Sequence, residues 1–154
     1  MADSIRERII QDAVTRSKLI KKTGGYKTNI GMNVTRAIKT HDMDTEEVLI
    51  VVPRQETSVK DRFGKMSNTM SIELLGSIKF DPDTTTISKK SEEIYADLIK
   101  AMTNPASPFS TLIDSVTHSG GGALEMPNNE EQFAGAIAKF EIKYKTVLGN
   151  PETQ

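Results

Sequence analysis

The sequence predicts an α+β domain: an antiparallel sheet of about four to five strands with two helices packed on one face. Three observations point there. Two segments carry apolar residues at helical spacing, at least three others alternate apolar and polar residues, and the connections between the strands are short.

The first helix is expected from about residue 4 to about residue 22. Ser4-Ile5-Arg6-Glu7 fits a capping box, in which Ser4 accepts from the Glu7 amide and Glu7 reaches back. Ile5, Ile9, Ala13 and Ile20, with Ile10 and Val14 beside them, form one apolar stripe, and Gly24-Gly25 supplies a stop. A half-buried strand follows, with Ile30, Met32, Val34 and Ile38 on alternate residues. His41 to Thr45 reads as a polar turn, and Val48 to Val52 as a central strand covered on both faces and ended by Pro53. Residues 54 to 67 are polar and read as a long exposed connection.

The third strand has the cleanest alternation, with Met70, Ile72, Leu74, Ile78 and Phe80 sharing a face until Asp81-Pro82-Asp83. The first three strands are expected to form an antiparallel meander. A second helix is expected from about Lys90 to about Thr103, with Ile94, Tyr95, Leu98, Ile99 and Met102 on its stripe and Asn104-Pro105 after it. Between Ser107 and Glu125 the pattern weakens: Ser107-Pro108 suits a short helical turn, Val116 to His118 suits a strand, and Gly120-Gly121-Gly122 reads as flexible or sharply turned. The final strand places Ala136, Ala138, Phe140, Ile142, Tyr144 and Thr146 on one face and Lys139, Glu141, Lys143 and Lys145 on the other. Residues 1–150 are expected to form a single domain and 151–154 a loose tail.

Composition limits the function. The chain has 154 residues, a net charge of −1 and no cysteine. Disulfides, thiolate metal sites and a thiol nucleophile are therefore excluded. A near-neutral chain lacks the basic excess that tight phosphate binding requires, and the lysines at 18, 21, 22 and 27 suit the negative end of a helix dipole. No apolar run approaches a membrane span and no secretory signal is visible, so no membrane partner is expected.

No catalytic set, cofactor site or metal site emerges. His41 and His118 lack a partner at metal-binding spacing, and Gly120-Gly121-Gly122 is followed by Ala123-Leu124-Glu125 rather than the Lys-Ser/Thr of a phosphate loop. Gly24-Gly25 follows a helix instead of opening one. The run from Asp81 to Glu92 has acidic residues at three positions of a calcium loop, but Thr86 stands where glycine must bend the chain. The methionines fall at core positions, and Phe140 and Tyr144 lie opposite the lysines, where packing explains them better than base stacking. The chain is expected not to be an enzyme.

Two stretches carry a family resemblance. Gly25-Tyr26-Lys27-Thr28-Asn29-Ile30-Gly31-Met32-Asn33-Val34-Thr35-Arg36, after a capped amphipathic helix, resembles a signature of the tail terminator (tail completion) proteins of long-tailed bacteriophages. The closing Phe140-Glu141-Ile142-Lys143-Tyr144-Lys145-Thr146, with Gly149-Asn150-Pro151 after it, is similar to that family's last strand, although Lys145 stands for its arginine and Asn150 for its aspartate. Gly25, Tyr26, Thr28, Gly31, Arg36, Tyr144 and Thr146 are the residues that match, in structural roles.

The resemblance implies a homo-hexameric ring that caps the head-proximal end of the tail tube, ends its polymerisation and offers a surface for head attachment. Its partners would be further copies of the chain, the tail tube protein and a head–tail connector or head-closure protein. DNA would pass through the hole without specific binding. The location implied is the neck of the virion, after assembly in the host cytoplasm. Arg54, Glu56, Lys60, Asp61 and Arg62, and the turn around Gly120, are candidate assembly contacts because they are polar and uncommitted to the core. The alternatives are another neck component, a head-closure or sheath-capping protein, and a small α+β ligand-binding or enzymatic domain.

Overall fold

In a computed structural model, which describes residues 2–36, 47–80, 84–127 and 132–154, two helices lie on one face of a five-stranded, mostly antiparallel sheet. The elements are α1 (Ile5–Ser17), β1 (Val34–Thr35), β2 (Glu47–Lys60), β3 (Lys65–Phe80), α2 (Thr84–Thr103), β4 (Ser115–Pro127) and β5 (Gln132–Val147). The order across the sheet is β1-β2-β3-β5-β4. The α+β class and the two helices packed against the sheet are as the sequence predicts.

Half of the capping box at the start of α1 is formed: Ser4 Oγ accepts from the Glu7 amide at 3.1 Å. The Glu7 carboxylate turns instead to Arg36 and Gln11. Ile5, Ile9, Ile10 and Ala13 are buried, as their spacing requires. The helix stops at Ser17, earlier than expected, and the chain continues through a 3-10 turn at Lys22–Gly24 capped by Gly25 at φ +83°. Ile20 still reaches the core.

The strand expected over Ile30–Ile38 is not formed as such. Ile30–Met32 is a second 3-10 turn and only Val34–Thr35 is strand; Ile38 lies outside the described residues. Ile30 is fully buried but Met32 is 72% exposed, so the alternation there came from one core anchor and one surface residue. β1 pairs parallel with β2, so the expected meander of the first three strands fails at its first step.

β2 does not end at Pro53. It runs on to Lys60 and pairs with β3 throughout, with the register broken between Pro53 and Glu56. Proline has no N–H to give a ladder, and it is tolerated here because β1 has already ended and a bulge follows. Residues 54 to 67, expected as a loop, are thus two strands and a tight turn at Gly64 (φ +73°). This β2–β3 arm reads as polar in sequence because its inward side meets Asn68, Tyr144 and Thr146 rather than an apolar helix stripe.

α2 begins at Thr84, six residues before its expected start. Three β-branched threonines disguise its first turn. It packs over β5, β4 and β3. The floor under it is made of small residues: Ala134, Ala136 and Ala138 of β5 are fully buried, and a Cβ at Gly76 of β3 would stand 2.6 Å from Ile94 Cγ2. The core joins this layer to Leu49, Val51, Met70, Ile72, Leu74, Phe140 and Ile142.

The triple glycine lies inside β4, which corrects its reading as a flexible or sharp turn; no helical turn forms at Ser107-Pro108. Gly120, Gly121 and Gly122 are extended with φ of +152°, +131° and +157°, beside a bulge between His118 and Gly120. A Cβ on Gly121 would fall 2.0 Å from the Ile137 carbonyl oxygen. Glycine is the residue that fits this backbone against β5. Residues 151–154 have exposed side chains, yet Pro151 O accepts from the Ile5 amide at 2.8 Å and Thr153 O from the Val147 amide at 2.9 Å.

Candidate assembly surface

The residues of the first motif build a clamp under the helices. Asp97 of α2 is 2% exposed, and its carboxylate accepts from the Lys27 amide (3.0 and 3.1 Å), the Thr28 amide (2.8 Å) and Thr28 Oγ1 (2.8 Å). A buried carboxylate is tolerable only when its oxygens are satisfied in this way. Lys100, one turn further on, donates to the Gly25 carbonyl at 2.7 Å and lies 4.9 Å from the centre of the Tyr26 ring. Burial pushes the Tyr26 hydroxyl above its ordinary pKa. Gly31 passes so close to the end of α1 that a Cβ would stand 2.4 Å from Ser17 O and 2.8 Å from Ile20 O.

Arg36 closes the clamp with a two-pronged pair to Glu7, at 2.5 and 3.0 Å. The Arg36 hydrogen bond holds the Glu7 carboxyl below the usual carboxylate range. Five of the matched residues, Gly25, Tyr26, Thr28, Gly31 and Arg36, therefore lie within one tertiary joint between α1, α2 and the chain entering β1.

The other two, Tyr144 and Thr146, face the arm. The Tyr144 hydroxyl donates to the Glu56 carboxylate, and Arg6 Nε of α1 lies 3.4 Å from the same carboxylate. Thr146 Oγ1 accepts from Asn68 Nδ2 at 3.0 Å, while Ser58 Oγ donates to Asn68 Oδ1 at 2.7 Å. Burial, then the bond to Glu56, raises the Tyr144 pKa far above that of an ordinary tyrosine. These groups, with Met66, Val147, Gly149, Asn150 and Pro151, line an open groove of about 360 Å³.

The five candidate contact residues are not one loop. Arg54 sits at the bulge and pairs with Glu73 on the helix-free face, with Nη2 at 2.9 Å from Oε2. That pair and Lys139, whose ammonium is 3.8 Å from Glu73 Oε1, border an open depression of about 530 Å³. Glu56 faces the helix side. Lys60 ends β2, and Asp61 and Arg62 enter the turn, where the Asp61 amide donates to Lys65 O at 2.7 Å. The Gly120 segment lies at the opposite edge of the sheet.

Sequence reasoning missed Phe63. It is 87% exposed at the tip of the arm, with Val59 at 68%, and Val147 and Leu148 are exposed beside it. Among the described residues, four of the six large exposed apolar side chains thus gather at one end of the molecule, where they make a candidate contact surface. The signal was one phenylalanine inside a polar run. Asp97 was missed too, although a carboxylate three residues after Ile94 and one before Leu98 sits on the apolar stripe of α2.

His118 packs as a core-edge ring, with Nε2 3.0 Å from the Tyr95 hydroxyl and its centroid 5.6 Å from that of Phe140. Among the described residues no three His, Asp or Glu side chains converge where a metal could be held, and no helix is long and apolar enough to cross a membrane. His41, with its turn, and the Asp81-Pro82-Asp83 part of the calcium pattern lie outside the described residues. No known family model matches the chain, and no curated protein sequence matches it.

Proposed function

We propose that this chain is a structural assembly protein that forms a ring on the head-proximal end of a phage tail tube, ending tube growth and presenting a surface for head attachment. The observation that carries the reading is the arm: a paired hairpin tied to β5 through Asn68 and Glu56, with its apolar side chains turned to solvent at the tip. A single-domain protein keeps such a knob dry by docking it on a neighbour. The resemblance of the two motifs to tail terminators names the neighbours as other copies and the tube. DNA would then pass along the ring without being gripped, in keeping with a net charge of −1.

The test is electron microscopy of the purified protein, alone and added to polymerising tail tubes. Rings with a central hole, and tubes that stop growing, are expected. Phe63→Ser is expected to fold normally and to lose capping. Deleting residues 56–66 is the wrong probe, because it removes strand pairing under Tyr144 as well as the knob. A lasting monomer that leaves tube growth unchanged overturns the reading. Loss of the protein from its virus should give overlong tubes; normal tails beside leaky heads would assign it to head closure instead.

A further inference from the structure

The sheet has two open edges. β4 is the last strand on one side, and no described residue pairs with its outer edge. On the other side β1 covers β2 only at Leu49 and Ile50, so from Glu56 to Lys60 β2 has a strand neighbour on one side alone among the described residues. Soluble proteins usually guard such edges with charges, proline or bulges. Ser115 to Leu124 carries no charged residue or proline, and the bulge between His118 and Gly120 is its one device. A long edge so lightly guarded favours pairing with another strand.

The chain itself supplies a matching cover. β2 is antiparallel to β3, β3 to β5 and β5 to β4, so β2 and β4 run in opposite directions. A second copy set beside the first therefore brings its β2 edge antiparallel to β4, and every copy keeps one open edge for the next. Repetition of that head-to-tail contact closes a ring if the rotation fits. Pairing of two β4 edges is less favourable, because it would oppose glycines that offer no cross-strand side-chain contact.

We infer that copies of this chain join edge to edge, β4 of one against the Glu56–Lys60 stretch of β2 in the next, so that one antiparallel sheet runs through the assembly. This rests on the ring reading for its closure, but the contact is a separate claim.

Cysteine cross-linking tests it, since the chain has no cysteine of its own. Thr57, Thr69, Lys143 and Ser115 form one row across the sheet, which puts Thr57 and Ser115 three strand spacings apart, about 14 Å. A disulfide within one copy cannot span that distance. The double variants of Thr57→Cys with Ser115→Cys, Thr117→Cys or Ser119→Cys sample the register. At least one is expected to give a ladder of covalent multimers on oxidation, while each single variant stays uncrosslinked. Rings without a ladder from any pair overturn the edge contact and leave the ring reading standing. Covalent dimers from a single variant overturn it in favour of a two-fold contact. A monomer by light scattering, with no ladder, removes both.

Discussion

Asp97 holds Thr28 by both its amide and its hydroxyl, each at 2.8 Å, across 69 residues of chain. The same carboxylate takes the Lys27 amide, so a single buried side chain satisfies three donors where the chain leaves α1 for the sheet. Asp97→Ala is expected to cost about 3 kcal/mol, because it strands buried donors as well as losing charge-assisted bonds. Thr28→Val, which removes one hydroxyl contact, should cost about 1 kcal/mol. Urea unfolding of the two variants checks both the size and the ratio; equal losses would mean that the hydroxyl, not the carboxylate, organises the joint.

That joint also explains what could be read in advance. The stripes Ile5-Ile9-Ala13 and Ile94-Leu98 and the alternation over Met70–Ile78 and Ala136–Ile142 were legible because each packs against an apolar partner, so periodicity records the contact. Ile30 to Met32 reads as strand in sequence but is a 3-10 turn, because the chain around it is set by Asp97, Lys100 and Glu7, which leave no period in the local sequence. The arm was misread as a loop for the same reason. Asn68, Glu56 and Ser58 pair with polar partners, so both its faces look solvated. Of the candidate surface, the arm's place between Arg54 and Ser67 was visible, but the knob at Phe63 was not.

Acid should loosen the Glu7–Arg36 clasp. A carboxylate held below its usual pKa stabilises the fold above that usual value, 4.5, and ceases to as pH falls through the lowered one. Glu93 is lowered likewise, by its hydrogen bond to Lys90. Stability is therefore expected to fall below about pH 4.5, and Glu7→Gln should flatten part of that fall. Both pairs are near the surface, so the share per pair should stay below about 1 kcal/mol and shrink in high salt. Urea midpoints from pH 3 to pH 6 measure it; a Glu7→Gln curve parallel to that of the parent rules the clasp out as a source.

The alkaline side belongs to Tyr144. Its pKa is raised, so the folded state favours the neutral phenol; that contribution is full below the ordinary value of 10.0 and is lost as pH climbs toward the raised one. In an ultraviolet titration of the three tyrosines, one phenol is expected to ionise last, together with unfolding, and Tyr144→Phe should delete that phase. The variant should also lose about 2 kcal/mol at neutral pH, the value of a hydrogen bond to a charged acceptor. A late phase that survives in Tyr144→Phe would assign it to another tyrosine, and the bond to Glu56 would then carry no alkaline stability.

Adjacent glycines in β4 should respond very differently to alanine. Gly121 and Gly122 both have positive φ, so either substitution strains the backbone by about 1–3 kcal/mol. A Cβ at Gly122 meets nothing within 4 Å, whereas at Gly121 it would stand 2.0 Å from the Ile137 carbonyl oxygen and 3.0 Å from Ala138 Cα. Those are backbone atoms of β5, and they cannot retreat without breaking the β4–β5 ladder that buries Ala136, Ala138 and Phe140 beneath α2. Gly122→Ala is thus expected to fold with a modest loss. Gly121→Ala should lose more than about 3 kcal/mol, with amide exchange rising along β4. Equal losses at the two positions would mean that strain alone, and not the approach of the strands, requires glycine there.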